Sequence, residues 1–201
     1  MFQSGQLASS TILIVTVGVS LFGLFSAPRI IEMSLFRPYW FLRRREYPTV
    51  VTSALVHADL GHLLMNMVTF YFFGFPLEAY LGTGPFVALY IFGLLVSSAY
   101  TWLRHNDKPD YATLGASGAI AAVLFAYIVY DPFSTLIIFP IPIPIPAFLF
   151  AIGYIGYSYW AAQQARGRIN HDAHLWGALS GLLFVLATDP GAYGRLLRAF
   201  T

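Results

Sequence analysis

The sequence predicts an all-α, multi-pass membrane protein: six helices in one domain spanning residues 1–201. Three observations carry this. First, 58% of the residues are hydrophobic and 10% charged, whereas a soluble domain is about a quarter charged. So few charges cannot clothe a water-facing surface. Second, the mean hydropathy is +0.67. Third, the apolar residues fall into separate runs divided by short polar or Gly/Pro-rich loops. The net charge is +2 with no basic stripe, so nucleic acid is not an expected partner. Cysteine is absent, which excludes disulfides and thiolate metal sites.

The first span covers Thr11 to Ala27. No Lys or Arg precedes it in Met1 to Ser10, and a cleaved signal normally begins with a basic segment, so a retained span is expected. The stretch from about 28 to 58 mixes Arg29, Glu32, Arg37, Arg43, Arg44, Arg45 and Glu46 with Phe36, Tyr39, Trp40, Phe41 and Leu42. It predicts a structured loop lying in the membrane interface. The second span runs from Leu60 to Leu77 and the third from Pro85 to Leu103, with Glu78 to Pro85 as a tight turn between them. The polar loop Arg104 to Asp110 follows. The fourth span begins at Gly115 and stops near Tyr130, where Asp131-Pro132 breaks it. Pro140, Pro142, Pro144 and Pro146 each lack a backbone donor, which predicts an extended segment. A fifth span then starts near Pro146 and ends near Gln163. The sixth runs from Ala173 to Thr188, and a tail carries Arg195 and Arg198. The fourth and sixth runs fall short of the ~20 residues a span needs, so their polar starts are expected inside the protein.

Those starts carry the chemistry. Ser117 opens the fourth run and His174 the sixth. With alternating directions, the beginnings of spans two, four and six share one side, which also places His57 and His62 there. A serine at a helix start is by itself an ordinary cap. Polar residues within apolar segments, however, mark function. His62 and Asn66 lie four apart, on one helical face, and both donate hydrogen bonds, as an oxyanion requires. Histidine suits the task of taking a serine proton. His174, Gly177 and Gly181 form a small-residue stripe on span six; Gly118, Ala122 and Ala126 form one on span four. Such stripes let helix backbones approach closely in lipid, and their meeting would join Ser117 to His174. Metal binding by His57, His62, His171 and His174 with Asp59 and Asp172 is the chemical rival. No His-Glu-x-x-His pattern is present, and no metal is expected.

Taken in order, these motifs resemble the rhomboid family of intramembrane serine proteases over residues 40 to 188. The carriers are His57-x4-His62-x3-Asn66, then Gly74, Glu78 and Gly82, then Gly115-Ala116-Ser117-Gly118, then Ala173-His174-x2-Gly177-x3-Gly181. The resemblance implies a rhomboid-like six-helix bundle and a dyad without an acid. Ser117 would be the nucleophile and His174 the general base. His62, Asn66 and the Ser117 backbone N–H would hold the oxyanion, with His57 steadying the loop above. Gly115, Gly118, Gly177, Gly181 and Glu78 would be structural supports. Substrates would be transmembrane segments in the lipid bilayer, and no cofactor is implied. A catalytically inactive scaffold binding membrane clients is the second functional class, and a small transporter a third.

Three departures stand out. Ala121 replaces an aromatic four residues after the serine, so another group must hold His174. Pro48-Thr49 stands where a Trp-Arg pair is usual, so Trp40 and Arg43 to Arg45 are expected to substitute. The prolines before span five, which resembles the family's substrate gate, are unusual. The resemblance implies a bacterial inner or cell membrane, with the site towards the outer side. The basic residues oppose that orientation: Arg29, Arg37, Arg43, Arg44, Arg45, Arg104, Lys108, Arg166 and Arg168 lie on the Ser117 side, and only Arg195 and Arg198 on the other.

Overall fold

The computed structural model describes residues 6–138, 141–164 and 170–201. Arg166, Arg168, Pro140 and the first five residues lie outside them. Helix α1 (Leu7–Phe25) is followed by α2 (Pro28–Ser34), α3 (Pro38–Arg43), α4 (Thr49–Thr52) and a 3-10 turn over Ser53–Leu55. Then come α5 (Leu60–Leu81), α6 (Thr83–His105) and α7 (Ser117–Tyr130). Strands β1 (Thr135–Ile138) and β2 (Ile141–Pro146) precede α8 (Ala147–Gln164), α9 (His171–Thr188) and α10 (Gly191–Arg198).

The chain is an integral membrane protein, and its burial pattern reflects a lipid solvent. On α1 the buried residues are small or polar: Ser9, Ser10, Thr16, Ser20 and Gly23. Its exposed residues include Leu7, Ile14, Leu21, Phe22 and Phe25. Among the described residues, α1, α5 and α6 are long and apolar enough to cross a membrane, and the pair α9–α10, bent by 107°, makes a fourth if counted as one span. Helix α7 is shorter. It occupies the centre: 11 of its 14 residues are buried, packed against α5, α6 and α9.

The prolines before α8 are extended, as expected, and the helix begins only at Ala147. They form one strand of an antiparallel hairpin, with Thr135 opposite Pro146 and Ile137 opposite Pro144, so the fold is not purely helical. Ala147 turns its N–H to the Ser134 carbonyl (2.9 Å). By strand alternation Pro146 and Pro144 turn their nitrogens to the free edge, where no donor is needed. One local expectation is corrected: the segment from Glu78 to Pro85 is not a turn. Helix α5 continues to Leu81 and α6 starts at Thr83, so Gly82 alone, at φ +81°, makes the break. That conformation favours glycine, and Pro85 fits a first helical turn.

Glu78 therefore sits inside α5, fully buried. Its carboxylate accepts from the Ala8 N–H (3.0 Å), the Ser9 N–H (2.7 Å), the Ser9 hydroxyl and the Thr83 hydroxyl (2.8 Å). A carboxylate satisfies the otherwise unpaired N–H groups at a helix start. Glu78 thus pins the first turn of α1 to the end of α5.

The stretch from 28 to 58 is structured, and two of its arginines are stacked on aromatic rings. Arg43 lies over Tyr39 at 3.9 Å and Arg44 over Trp40 at 3.7 Å. Trp40 also donates to the Pro109 carbonyl (3.2 Å), so the arm is tied to the loop after α6. These arginines serve packing, which reduces their weight as orientation signals.

Candidate active site

Three helix starts converge. Helix α5 begins with Asp59, whose side chain accepts from the His62 N–H (2.8 Å). This caps the helix and fixes His62 in its first turn. The His57 and His62 rings meet edge to face at 4.9 Å. Opposite them lies Gly115, held by its N–H to the Ser53 carbonyl (2.8 Å). A Cβ on Gly115 would stand 2.7 Å from the His62 ring, and its φ is +106°. Both the contact and the conformation demand glycine. The loop leading to Ser117 therefore runs flat against His62.

Ser117 is the first residue of α7, and the capping position belongs to Ala116, with no side-chain cap. The alternative of Ser117 as an ordinary cap finds no support here, since Ser117 is already helical. As the first helical residue, its N–H has no acceptor within α7.

Helix α9 starts at His171, two residues earlier than the sequence suggests, capped by the Asn170 side chain accepting from the Ala173 N–H (3.0 Å). His174 thus lies within the first turn. Helices α7 and α9 touch backbone to backbone. A Cβ on Gly177 would fall 2.2 Å from the Gly118 carbonyl oxygen, and one on Gly181 2.2 Å from that of Ala122. A Cβ on Gly118 would meet Ser97 Oγ at 2.3 Å and the Ala173 carbonyl at 3.3 Å. The two tips bearing Ser117 and His174 are therefore adjacent. His62 and His171 both lie within electrostatic reach of His174. Among the described residues, neither the Ser117 hydroxyl nor the His174 ring makes a hydrogen bond, and none joins the two. Such bonds are commonly long before substrate binds.

Asn66 donates to the His62 carbonyl (2.9 Å), which leaves its second amide hydrogen uncommitted. His57 is fully buried. Ser20 Oγ donates to the Leu55 carbonyl (3.0 Å) and lies 3.0 Å from His57 Nδ1. A hydroxyl has one hydrogen, so Nδ1 carries the proton in that contact. Burial holds the pKa of His57 down to about 3, with His62 adding to the effect and Asp59 partly opposing it. The ring is neutral and ties α1 to the loop. Among the described residues no group of three or more His, Asp or Glu is arranged to hold a metal.

Two residues passed over in the sequence join this site. Asn170 donates to Thr101 Oγ1 (3.1 Å) while capping α9, so it fastens the start of α9 to α6; an Asn three residues before Ala173 was a readable capping signal. Tyr154 on α8 stacks on His174, with ring centroids 6.3 Å apart at 22°. Only the missing ring at Ala121 hinted at such a partner. A cavity of about 30 Å³ lies behind Ser117, lined in part by Ser97, Thr101, Thr113 and Asn170.

The family model of the Rhomboid domain matches residues 44–189. The chain belongs to the rhomboid family. This rhomboid protein is 32% identical over 145 residues to RHOMBOID-like protein 12, mitochondrial, of Arabidopsis thaliana, covering 65% of this chain and 43% of that protein. It is 27% identical over 175 residues to Rhomboid protein 1, mitochondrial, of Saccharomyces cerevisiae, covering 84% of this chain and 50% of that one. It is 32% identical over 143 residues to the human presenilin-associated rhomboid-like protein, mitochondrial, covering 68% and 36%. The matches thus span half or less of each relative's length. All three are named mitochondrial, so the expected bacterial membrane draws no support from them.

Proposed function

We propose that this rhomboid protein is an intramembrane serine endopeptidase that cuts transmembrane segments, built as one six-span domain with α7, α8 and α9 as the last three spans. Ser117 is the nucleophile. Its hydroxyl oxygen attacks the scissile carbonyl carbon as His174 takes its proton. The resulting oxyanion accepts hydrogen bonds from the Ser117 backbone N–H, the His62 ring and the free amide hydrogen of Asn66. The N–H belongs to the positive end of α7. His174 then gives its proton to the leaving amine, and the C–N bond breaks. A water gives a proton to His174 as its oxygen attacks the acyl carbon, the ester C–O bond breaks, and His174 returns that proton to the Ser117 oxygen. His57, neutral and anchored to Ser20, steadies the loop beside His62.

One observation carries this reading. The backbone contact at Gly118 and Gly177 joins the two helix tips, and both side chains are left without hydrogen bonds to the described residues. An inactive scaffold would have no use for a serine and a histidine held this way. The test is cleavage of a membrane-spanning substrate in proteoliposomes. Ser117→Ala and His174→Ala are each expected to lower turnover on the order of a thousandfold or more. Undiminished cleavage by the folded Ser117→Ala protein would overturn the reading.

A further inference from the structure

We infer that Tyr154 is a positioning residue for His174, so that the alignment of the base is set from α8, the long helix least embedded in the protein. The inference rests on the catalytic reading above. The His174 ring makes no hydrogen bond to the described residues, and what touches it among them is packing. The Tyr154 ring lies beside it, near-parallel and offset, with centroids 6.3 Å apart at 22°, within the range of attractive aromatic pairs. On another side, the His171 ring meets it at 6.1 Å and 80°. Tyr157, the next α8 residue on that side, contacts His171 edge to face at 5.5 Å. Helix α8 thus grips the first turn of α9 through two aromatic contacts.

The room for Tyr154 is made by small residues. Ala121 lies one turn below Ser117 on α7, and Ala178 one turn below His174 on α9. Both are buried and belong to the apolar cluster that Tyr154 packs against. Tyr154 is wedged there by Phe125 at 5.3 Å and Phe150 at 5.5 Å. Its hydroxyl has no hydrogen-bond partner among the described residues, so what it offers His174 is the ring face. Of the 18 residues of α8, only Ala147, Ser158 and Ala161 are buried. Leu149, Ile152, Tyr157, Tyr159 and Trp160 are exposed. The ring that aligns the base is therefore carried by an element with few other attachments, and any shift of α8 is passed to His174.

The experiment measures kcat and KM on a membrane-spanning substrate in proteoliposomes, with thermal unfolding of each variant. Tyr154→Leu keeps apolar volume without the ring. It is expected to lower kcat about tenfold or more, with KM within about threefold and unfolding unchanged, because misplacement of a reacting group by an ångström costs rates of this size. Tyr154→Phe is expected to stay within about threefold of wild type. Adding Ala121→Phe to Tyr154→Leu, which returns a ring from α7, is expected to recover about fivefold. An unchanged kcat in Tyr154→Leu, or an equal loss in Tyr154→Phe, would overturn the inference. Ser117→Ala runs alongside. If it loses activity while Tyr154→Leu does not, only the role of Tyr154 falls. If it keeps activity, the catalytic reading itself falls.

Discussion

Helices α9 and α8 both pack on α7, in opposite ways. The α7–α9 contact is made by backbones: Gly177 and Gly181 lie against the carbonyls of Gly118 and Ala122 with no space for a methyl group. The α8 contact is made by large rings, and the glycines of α8, Gly153 and Gly156, have nothing within 4 Å of a built Cβ. In lipid, where apolar contact alone gives no preference for protein over tails, close backbone approach is what fixes one helix on another. The contrast shows where this molecule is stiff and where it is not. The two tips that carry the proposed dyad are locked by glycine, whereas the helix that covers the base packs on α7 through side chains, its backbone tied only at its start to the loop before it.

Substitutions at the glycines break this comparison most directly. Gly177→Ala and Gly181→Ala should each destabilise the fold by about 1–3 kcal/mol, the usual cost of overpacking, as read by unfolding in mixed micelles. Gly177→Ala should also cut turnover about a hundredfold, since it pushes apart the tips one turn from His174. Gly181→Ala, a further turn away, should cut it less. Equal and small losses at both would show that the glycine contact is not what sets the site.

Acid tests the locked side in another way. Folding keeps His57 neutral, with its pKa near 3, while the unfolded chain binds a proton near the ordinary value of about 6.5. Between those values the unfolded state holds more protons, so stability is lost as the pH is lowered, by up to about 1.4 kcal/mol per unit for this one residue. Wild-type protein should lose stability from pH 7 to pH 5, and His57→Gln should show a shallower slope. An equal slope in both would place the acid sensitivity elsewhere.

The smallest effect is expected on the loose side. Gly153→Ala and Gly156→Ala meet open space, and each should stabilise α8 by about 0.5–1 kcal/mol through helix propensity. Destabilisation there would mean that α8 packs more tightly than its exposure indicates.

Much of this was legible in the chain. The apolar runs located the long helices to within a few residues, because hydropathy and Gly/Pro breaks act locally. The stripes at Gly118 and Gly177 indicated a close contact, because lipid packing favours small residues at fixed helical spacing. What escaped were pairings between distant segments. The prolines excluded a helix, but nothing local named Thr135–Ile138 as the partner strand. Glu78 stood beside a glycine–proline signal for a turn, while its role depends on the start of α1, far away in sequence. The vacancy at Ala121 was visible, but the ring that fills it comes from α8.

The central claim is that the adjoining tips of α7 and α9 make one nucleophile. Peptide mapping of the protein after reaction with a fluorophosphonate probe in detergent tests it most directly. The account predicts a single adduct on Ser117, lost in Ser117→Ala and strongly slowed in His174→Ala. An adduct on another residue, or labelling of Ser117 that is indifferent to His174, would contradict it.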